Sequence, residues 1–368
     1  MARLFAAGLL DRHARAAFIL PTVLAILAFS IFPLLISAYL SLVRFQLEPG
    51  GYALHFVGWS NYRKLLLGSE QFHFLGTFAR AGTLRWAIVA IGAAAALAAL
   101  IRYVRNAPSA AGLAGRVVAS ATLSAILVLL ANTTAGHGRL GSLGVTLFYV
   151  VVGVTVQFLI GLTLAYLCTL PIRGRSFYRL VFFVPLMVTP VGVAYMFRMI
   201  ADTTVGPLAP LWNAVGWREI SWAADHWLAR IVVVIGDTWQ WVPFMFIVLL
   251  AALEGQPREQ IEAAQLDGAD GWRIFRDITW PTIAPVAASV VLIRLIEAFK
   301  IVDLPNVLTN GGPGIATESM TLHSFIAWRT LDLGGSAAVA YMLFFVATVT
   351  CVSFFQFVVR RARAEASA

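Results

Sequence analysis

Lysine is nearly absent from this 368-residue sequence, where Lys64 and Lys300 are the only two. A Walker A loop, G-x-x-x-x-G-K-[ST], needs glycines whose backbone cradles phosphates and a lysine that reaches them. Neither lysine follows such glycines, so the chain holds no nucleotide in that manner, and any ATP-driven work requires a separate ATPase. Cysteine is equally scarce. Cys168 and Cys351 both lie in apolar runs with no histidine nearby, which excludes a disulfide framework and a zinc motif. The six histidines are scattered without HExxH-type spacing, so the sequence predicts no metal ligands, no catalytic residues and no cofactor of its own. Charged residues make up only 12% of the chain, against about 25% in soluble domains.

Apolar residues fill the remainder: the chain is 60% hydrophobic with a mean hydropathy of +0.82. A helix needs roughly 20 apolar residues to cross a bilayer. Eight runs of suitable size occur, at about 17–43, 84–102, 117–133, 143–170, 179–200, 229–253, 282–304 and 335–359. The first is about twice as long as a cleavable signal's apolar region and is expected to be retained as a span. The net charge of +9 is carried almost wholly by arginine. Loops of one parity hold Arg3, Arg12, Arg15, Arg102, Arg105, Arg116, Arg173, Arg175, Arg179, Arg258, Arg273, Arg276, Arg360, Arg361 and Arg363. The other parity holds Arg63, Lys64, Arg80, Arg139, Arg218 and Arg329. The positive-inside rule then places both termini and segment 254–281 in the cytoplasm, with lipid rather than nucleic acid as the partner of the charge.

Segment 262–275, "EAAQLDGADGWRIF", is polar and broken by glycine. Pro257 suits a first helical turn, with Glu259 and Glu262 near the positive end of the helix dipole. Gly268 permits a left-handed break, and a second short helix is expected to stop before Pro281, which opens the next span. Such a helix-turn-helix is either an ordinary amphipathic loop or a surface where another protein sits. The outer loops differ in kind. Residues 201–228 hold Trp212, Asn213, Trp217, Trp222 and Trp227, and residues 305–334 hold Asn310, Gly311, Gly312 and Pro313. Tryptophan at this density marks either the lipid interface or a docking surface for an external partner.

Charged groups inside spans are costly and are functional candidates by default. Arg294, Glu297, Lys300 and Asp303 recur at intervals of three in the span 282–304, either as a self-neutralising ladder or as the lining of a polar cavity in the outer half of the membrane. Asp237, Trp239, Gln240 and Trp241 lie at similar depth in the preceding span, and pair aromatic faces with polar groups in a way that suits a hydroxylated solute.

"EAAQLDGADGWRIFRDITWP" resembles the EAA signature of permease subunits of binding-protein-dependent ABC importers. Glu262, Ala263, Ala264, Asp267, Gly268, Ala269, Phe275, Ile278 and Pro281 match in register, while Trp280 replaces the usual leucine. "FILPTVLAILAFSIFPLLISAYLS", "FVGWSNYRKLL", "GRSFYRLVFFVPLMVTP", "TWQWVPF" and "LTNGGPGIATESMTL" are similar to the carbohydrate-type group of that family. The resemblance implies an all-α type I importer permease fold in a bacterial cytoplasmic membrane. It further implies a cytoplasmic ATPase, in two copies, that binds ATP and Mg²⁺ and seats segment 254–281, a second permease with its own EAA loop, and an extracytoplasmic solute-binding protein. The expected organisation is a tail, first span and outer loop (1–76), an inserted two-span hairpin (77–140), a core domain (141–359) and a cytoplasmic tail (360–368). An ion-coupled secondary transporter is the competing class. It calls for an internal repeat, of which the sequence has no convincing sign. A membrane-embedded enzyme lacks any recognisable nucleophile, metal or phosphate-binding pattern.

Overall fold

The computed structural model describes residues 18–105, 110–134, 139–170, 174–217 and 222–366. The tail 1–17 with its three arginines, Arg173 and Arg218 lie outside the described residues. In order the elements are α1 (Phe18–Ser41), β1 (Val43–Glu48), β2 (Gly51–Phe56), α2 (Ser60–Leu67), α3 (Gln71–Leu75), β3 (Gly76–Thr77), α4 (Thr83–Arg105) and α5 (Ala110–Thr133). There follow β4 (Arg139–Leu140), α6 (Ser142–Thr169), α7 (Arg175–Phe183), α8 (Pro190–Ala201), α9 (Ala209–Ala214) and α10 (His226–Glu254). The last are α11 (Arg258–Leu266), α12 (Gly271–Ala298), α13 (Asp303–Thr309), α14 (Met320–Arg329) and α15 (Leu333–Ala366). Among the described residues seven helices are long and apolar enough to cross a membrane, or eight if one bent pair forms a single span.

That bent pair corrects the expected continuous span 179–200. Residues Ser176–Met187 and Pro190–Ala201 meet at 100°. Pro185 opens a 3₁₀ turn and Pro190 opens α8, so the intervening Val188 and Thr189 are extended and no α ladder can run through them. The side chain of Thr189 caps the new helix by accepting from the Gly192 N–H.

Two further proline positions behave differently. Pro33 and Pro281 each follow a π turn, Leu27–Ile31 and Phe275–Thr279, by two residues. A proline ring clashes with the carbonyl four residues earlier, and the wider π turn contains that carbonyl. The helix therefore continues through each proline. The expected stop before Pro281 does not occur, and α12 runs unbroken from the polar loop into the span.

The chain forms two compact units. The first comprises residues up to Lys64 with 324–341. Its β1–β2 hairpin is antiparallel, Val43 opposite Phe56 and Glu48 opposite Gly51. Asn61 Nδ2 donates to the Ser41 and Val43 carbonyls at 2.8 and 3.0 Å, and Lys64 pairs with Asp332 at 3.6 Å. The second unit comprises 65–323 with 342–368. There α6 and α10 pack so closely that a Cβ on Gly161 would stand 2.6 Å from the Met245 Cβ, so only glycine fits. Leu140, Val145, Tyr149, Ala194, Val233, Ile301, Leu304 and Leu308 form a buried cluster within this unit. The helices α4 and α5 pair along their lengths, and their flanking strands β3 and β4 pair Gly76 with Leu140 and Thr77 with Arg139.

Candidate functional site

The polar loop 254–281 is built by its own backbone bonds. Pro257 stands at the N-cap of α11, one position before the first turn expected of it, with Glu259 in that turn. At the other end the Asp267, Gly268 and Ala269 N–H groups donate to the carbonyls of Ala263, Gln265 and Ala264 at 3.0, 3.0 and 2.9 Å. Gly268 has φ +79°, a left-handed C-terminal cap, and a Cβ there would meet nothing within 4 Å. The Asp270 carboxylate then caps α12 by accepting from the Arg273 N–H at 2.8 Å.

This loop presents Glu262, Ala263, Asp267 and Gly268 to the outside, with Ala264, Ala269 and Phe275 half-buried. Leu266 is 90% exposed and Trp272 67% exposed beside these polar groups, which is poor design for a solvated loop and suits a protein interface. Behind them is a cavity of about 510 Å³ lined by Tyr166, Thr169, Leu253, Glu254, Gln256, Arg258, Gln265 and Phe275 among others. Phe275 stacks on Trp272 and meets the edge of Tyr166, while Trp280 packs on Phe158 and Phe275. The unusual Trp280 thus finds its partners within this chain. Arg179 pairs with Glu254 and donates to the Cys168 carbonyl at 3.3 Å, tying α7 to the ends of α6 and α10.

The intramembrane polar groups divide into two sets, which corrects the expectation of one four-residue ladder in a single span. Arg294 is buried and bonded to Asp237, its Nε donates to Gln157 Oε1 at 2.7 Å, and Gln157 Nε2 donates to Asp237 Oδ2 at 2.7 Å. Trp241 lies over the guanidinium at 4.6 Å. This closed network joins α6, α10 and α12, and its two unit charges cancel. Glu297 and Lys300 instead pair with each other at 2.7 Å, with Lys300 exposed. The helix ends at Ala298, so Lys300 lies past it and Asp303 begins α13.

Gln157 escaped the sequence reading, although a lone amide in an apolar run is a signal of the same kind as Asp237. Gln240 is also buried. Its Nε2 donates to the Val188 carbonyl at the 100° break, at 3.3 Å, and its Oε1 is buried without a partner. Trp239 packs on Phe197 at 5.9 Å.

In the outer loops Trp212 is half-buried, donating to the Ile200 carbonyl at 3.0 Å and stacking on Trp217, while Asn213 is exposed. Trp227 meets the edge of Phe148 and the Arg230 guanidinium. Asn310 is exposed at φ +49°, Gly312 and Pro313 are half-buried, and Gly311 is buried against Glu318. Gly311 therefore serves the turn, and the exposed surface falls to Asn213 and Asn310. Buried Arg230 donates from Nε to the Ala316 carbonyl at 2.6 Å, fastening this last loop to α10.

A group that sequence spacing did not reveal lies at the Ser142 end of α6. His73 and His323 stack with ring centroids 4.0 Å apart, and His73 Nε2 is 2.7 Å from Glu318 Oε1. Burial pushes the His73 pKa down, but its bond to Glu318 and the charges of Glu318 and Glu70 outweigh this and hold it above the ordinary histidine value.

Residues 157–364 match the family described as "binding-protein-dependent transport system inner membrane component". The trehalose/maltose transport system permease protein MalF of Thermococcus litoralis is 30% identical over 200 residues, covering 54% of this chain and 68% of the relative. The sn-glycerol-3-phosphate transport system permease protein UgpA of Agrobacterium fabrum is 28% identical over 254 residues, or 68% of this chain and 83% of the relative. Among solved structures, a chain of a bacterial ABC transporter involved in the import of the acidic polysaccharide alginate matches with TM-score 0.68 and 17% identity. That match covers 97% of this chain and 99% of the other, too much to leave out the α4–α5 hairpin. A second match, TM-score 0.55 and 19% identity over 60% of this chain and 78% of the other, comes from a bacterial alginate ABC transporter in complex with an alginate pentasaccharide-bound periplasmic protein.

Proposed function

The chain belongs to the binding-protein-dependent transport system inner membrane component family, and from that premise we propose that it is one of two permease halves of an ATP-driven importer for a sugar, polyol or carbohydrate derivative. It is a multi-pass membrane transport subunit and not itself an enzyme. ATP and Mg²⁺ belong to a separate cytoplasmic ATPase, present in two copies, which would seat α11 and the start of α12. A second permease with its own EAA loop would complete the channel in a bacterial cytoplasmic membrane. The observation that carries this reading is the pairing of a rigidly capped polar loop with exposed Leu266 and Trp272, because such groups need a protein partner on the non-lipid side. Glu262, Ala263, Ala264, Asp267, Gly268, Ala269 and Phe275 form or support that surface.

For the solute, the geometry supports a route beside the break between α7 and α8. Non-helical backbone at membrane depth is tolerated where it lines a cavity or is covered by protein. Gln240, with its spare acceptor, stands there, while Trp239 packs on Phe197, Trp241 covers Arg294, and Asp237 and Arg294 hold the helices around it. Glu297, Lys300 and Asp303 would meet solute at the outer mouth. A solute-binding protein would deliver to the side of Asn213 and Asn310. Transport then follows alternating access, biased by differential binding of nucleotide and loaded binding protein to the two states.

The test is purification of the tagged chain from its native membrane, with and without Gly268→Arg. A side chain at φ +79° costs about 1–2 kcal/mol in backbone strain and adds bulk at the interface. The expected result is an ATPase and a second permease bound to the wild type, the ATPase lost from the variant, and ATP-driven uptake abolished. A chain that purifies alone in both forms and transports in liposomes without ATP is a secondary transporter.

A further inference from the structure

We propose that Glu70, His73 and His323 form a binding site for a divalent transition metal, of the zinc type, on the face opposite the polar loop. The location follows from α6: Thr169 at one end lines the cavity beside that loop, and Ser142 at the other end touches His323.

One ligand atom from each of Glu70, His73 and His323 lies within 4.8 Å of the others. Two imidazoles and a carboxylate, with a fourth position for water, are a donor set that zinc accepts. The contact between His73 Nδ1 and Glu70 Oε2 is 3.4 Å. That is long for a charge-assisted hydrogen bond, which runs about 2.7–2.9 Å. It matches the roughly 3.3 Å edge of a tetrahedron built on metal bonds of about 2.0–2.1 Å. The His73 and His323 rings stack 17° from parallel, so His323 must turn out of the stack to aim a ring nitrogen at the same point.

The surroundings are those of a metal-binding histidine pair. Ligand histidines usually donate their other ring N–H to a carboxylate or another acceptor, which fixes the tautomer. Glu318 is a carboxylate 2.7 Å from His73 Nε2, so Nε2 carries the proton and the Nδ1 lone pair faces Glu70. Ser142 Oγ is 3.0 Å from His323 Nδ1 and orients the second ring. Glu318 is only 3% exposed, and its ion pairs among the described residues are to His73 and His323. A buried carboxylate needs a compensating positive charge. Ligation requires both imidazoles neutral, so a divalent cation would take the place of the His73 proton and cancel the two negative charges of the carboxylates. Bound there, the metal would fasten α3 to the start of α14, 250 positions later in the chain.

The inference is independent of the transport reading and is tested on the full chain in detergent, purified on a tag without histidine and stripped with a chelator. Cobalt(II) is the probe, followed by zinc(II). One cobalt per chain, with the intense visible bands of tetrahedral coordination that zinc then bleaches, is the expected result. His73→Gln and Glu70→Gln should each weaken binding by at least about 100-fold, and Glu318→Gln by about 10–100-fold. His55→Gln, at an exposed histidine in the other unit, should change nothing. Metal-free melting temperatures equal to that of metal-free wild type show that a variant still folds. If His73→Gln fails this check, Glu70→Gln decides, because Glu70 lies partly exposed at the surface. Wild type that retains no zinc and shows no bands overturns the proposal and leaves a shared proton between His73 and its glutamates. Bands that survive in Glu70→Gln overturn it equally.

Discussion

The helices α4 and α5 are as hydrophobic as α6 and α10: mean hydropathies are 2.1 and 2.0 for the first pair and 2.2 and 1.7 for the second. Yet only 6% of the apolar stretch of each of α4 and α5 is buried in the protein, against 56% and 50% for α6 and α10. Hydropathy thus identifies a span without saying whether lipid or protein surrounds it. Polar content makes the distinction. The helices α6 and α10 carry Gln157, Arg230, Asp237 and Gln240, and α12 adds Arg294, whereas α4 has no charged residue between Trp86 and Ile101 and α5 none between Val117 and Thr133. A buried charge must find a partner on another helix, so polar groups mark the helices that face protein.

The largest test of this contrast is Asp237→Leu, which leaves the Arg294 guanidinium buried without its carboxylate. It should cost about 3–5 kcal/mol, read as a fall in detergent melting temperature, and Asp237→Leu with Arg294→Met should recover part of it. Next comes packing. Gly161→Val drives a side chain into Met245 and should cost about 1–3 kcal/mol. Gly115→Val in α5, where a Cβ meets nothing within 4 Å, should stay within about 0.5 kcal/mol by the same melting assay. A smaller effect still is expected from removing the hairpin outright. Because Thr77 and Arg139 already face each other, an Asn-Gly turn can join them, and the shortened chain should insert and retain ATP-driven uptake in liposomes. Loss of insertion would give the hairpin a structural role that its low burial denies.

The least effect belongs to neither helix set. At the outer end of α8, the Val205 and Thr204 N–H groups and the Thr204 hydroxyl bond Asp202 and hold its carboxyl below the ordinary value. A depressed folded-state pKa contributes order that is fully present above the unfolded value and is lost as pH falls through the folded one. Fluorescence of the neighbouring Trp212–Trp217 pair should therefore change at low pH in the wild type, and lose that transition in Asp202→Asn.

The spans and the capped polar loop were legible because each depends on residues close together in the chain. Apolar run length and the Gly268 break both act within a few turns. The break at Val188 was half legible, since Pro185 and Pro190 bracket it, but proline alone does not decide between a break and a tolerated kink. Pro281 shows the other outcome, through a π turn that no sequence pattern announced. The polar network was partly visible as Asp237 and Arg294. Its third member, Gln157, and the separation of Arg294 from Glu297 and Lys300 depend on how three helices face one another. Least legible was the histidine pair, because His73 and Glu318 are 245 positions apart.

The unbroken course of α12 would set the mechanics of the proposed switch. Its 28 residues begin within the polar loop and end at Ala298. At 1.5 Å per residue that is a lever arm of about 42 Å, and a tilt of about 10° at its base would sweep the far end through about 7 Å. In the proposed importer, a domain motion of modest angle would thereby be enlarged, within one element, to the width of a sugar ring.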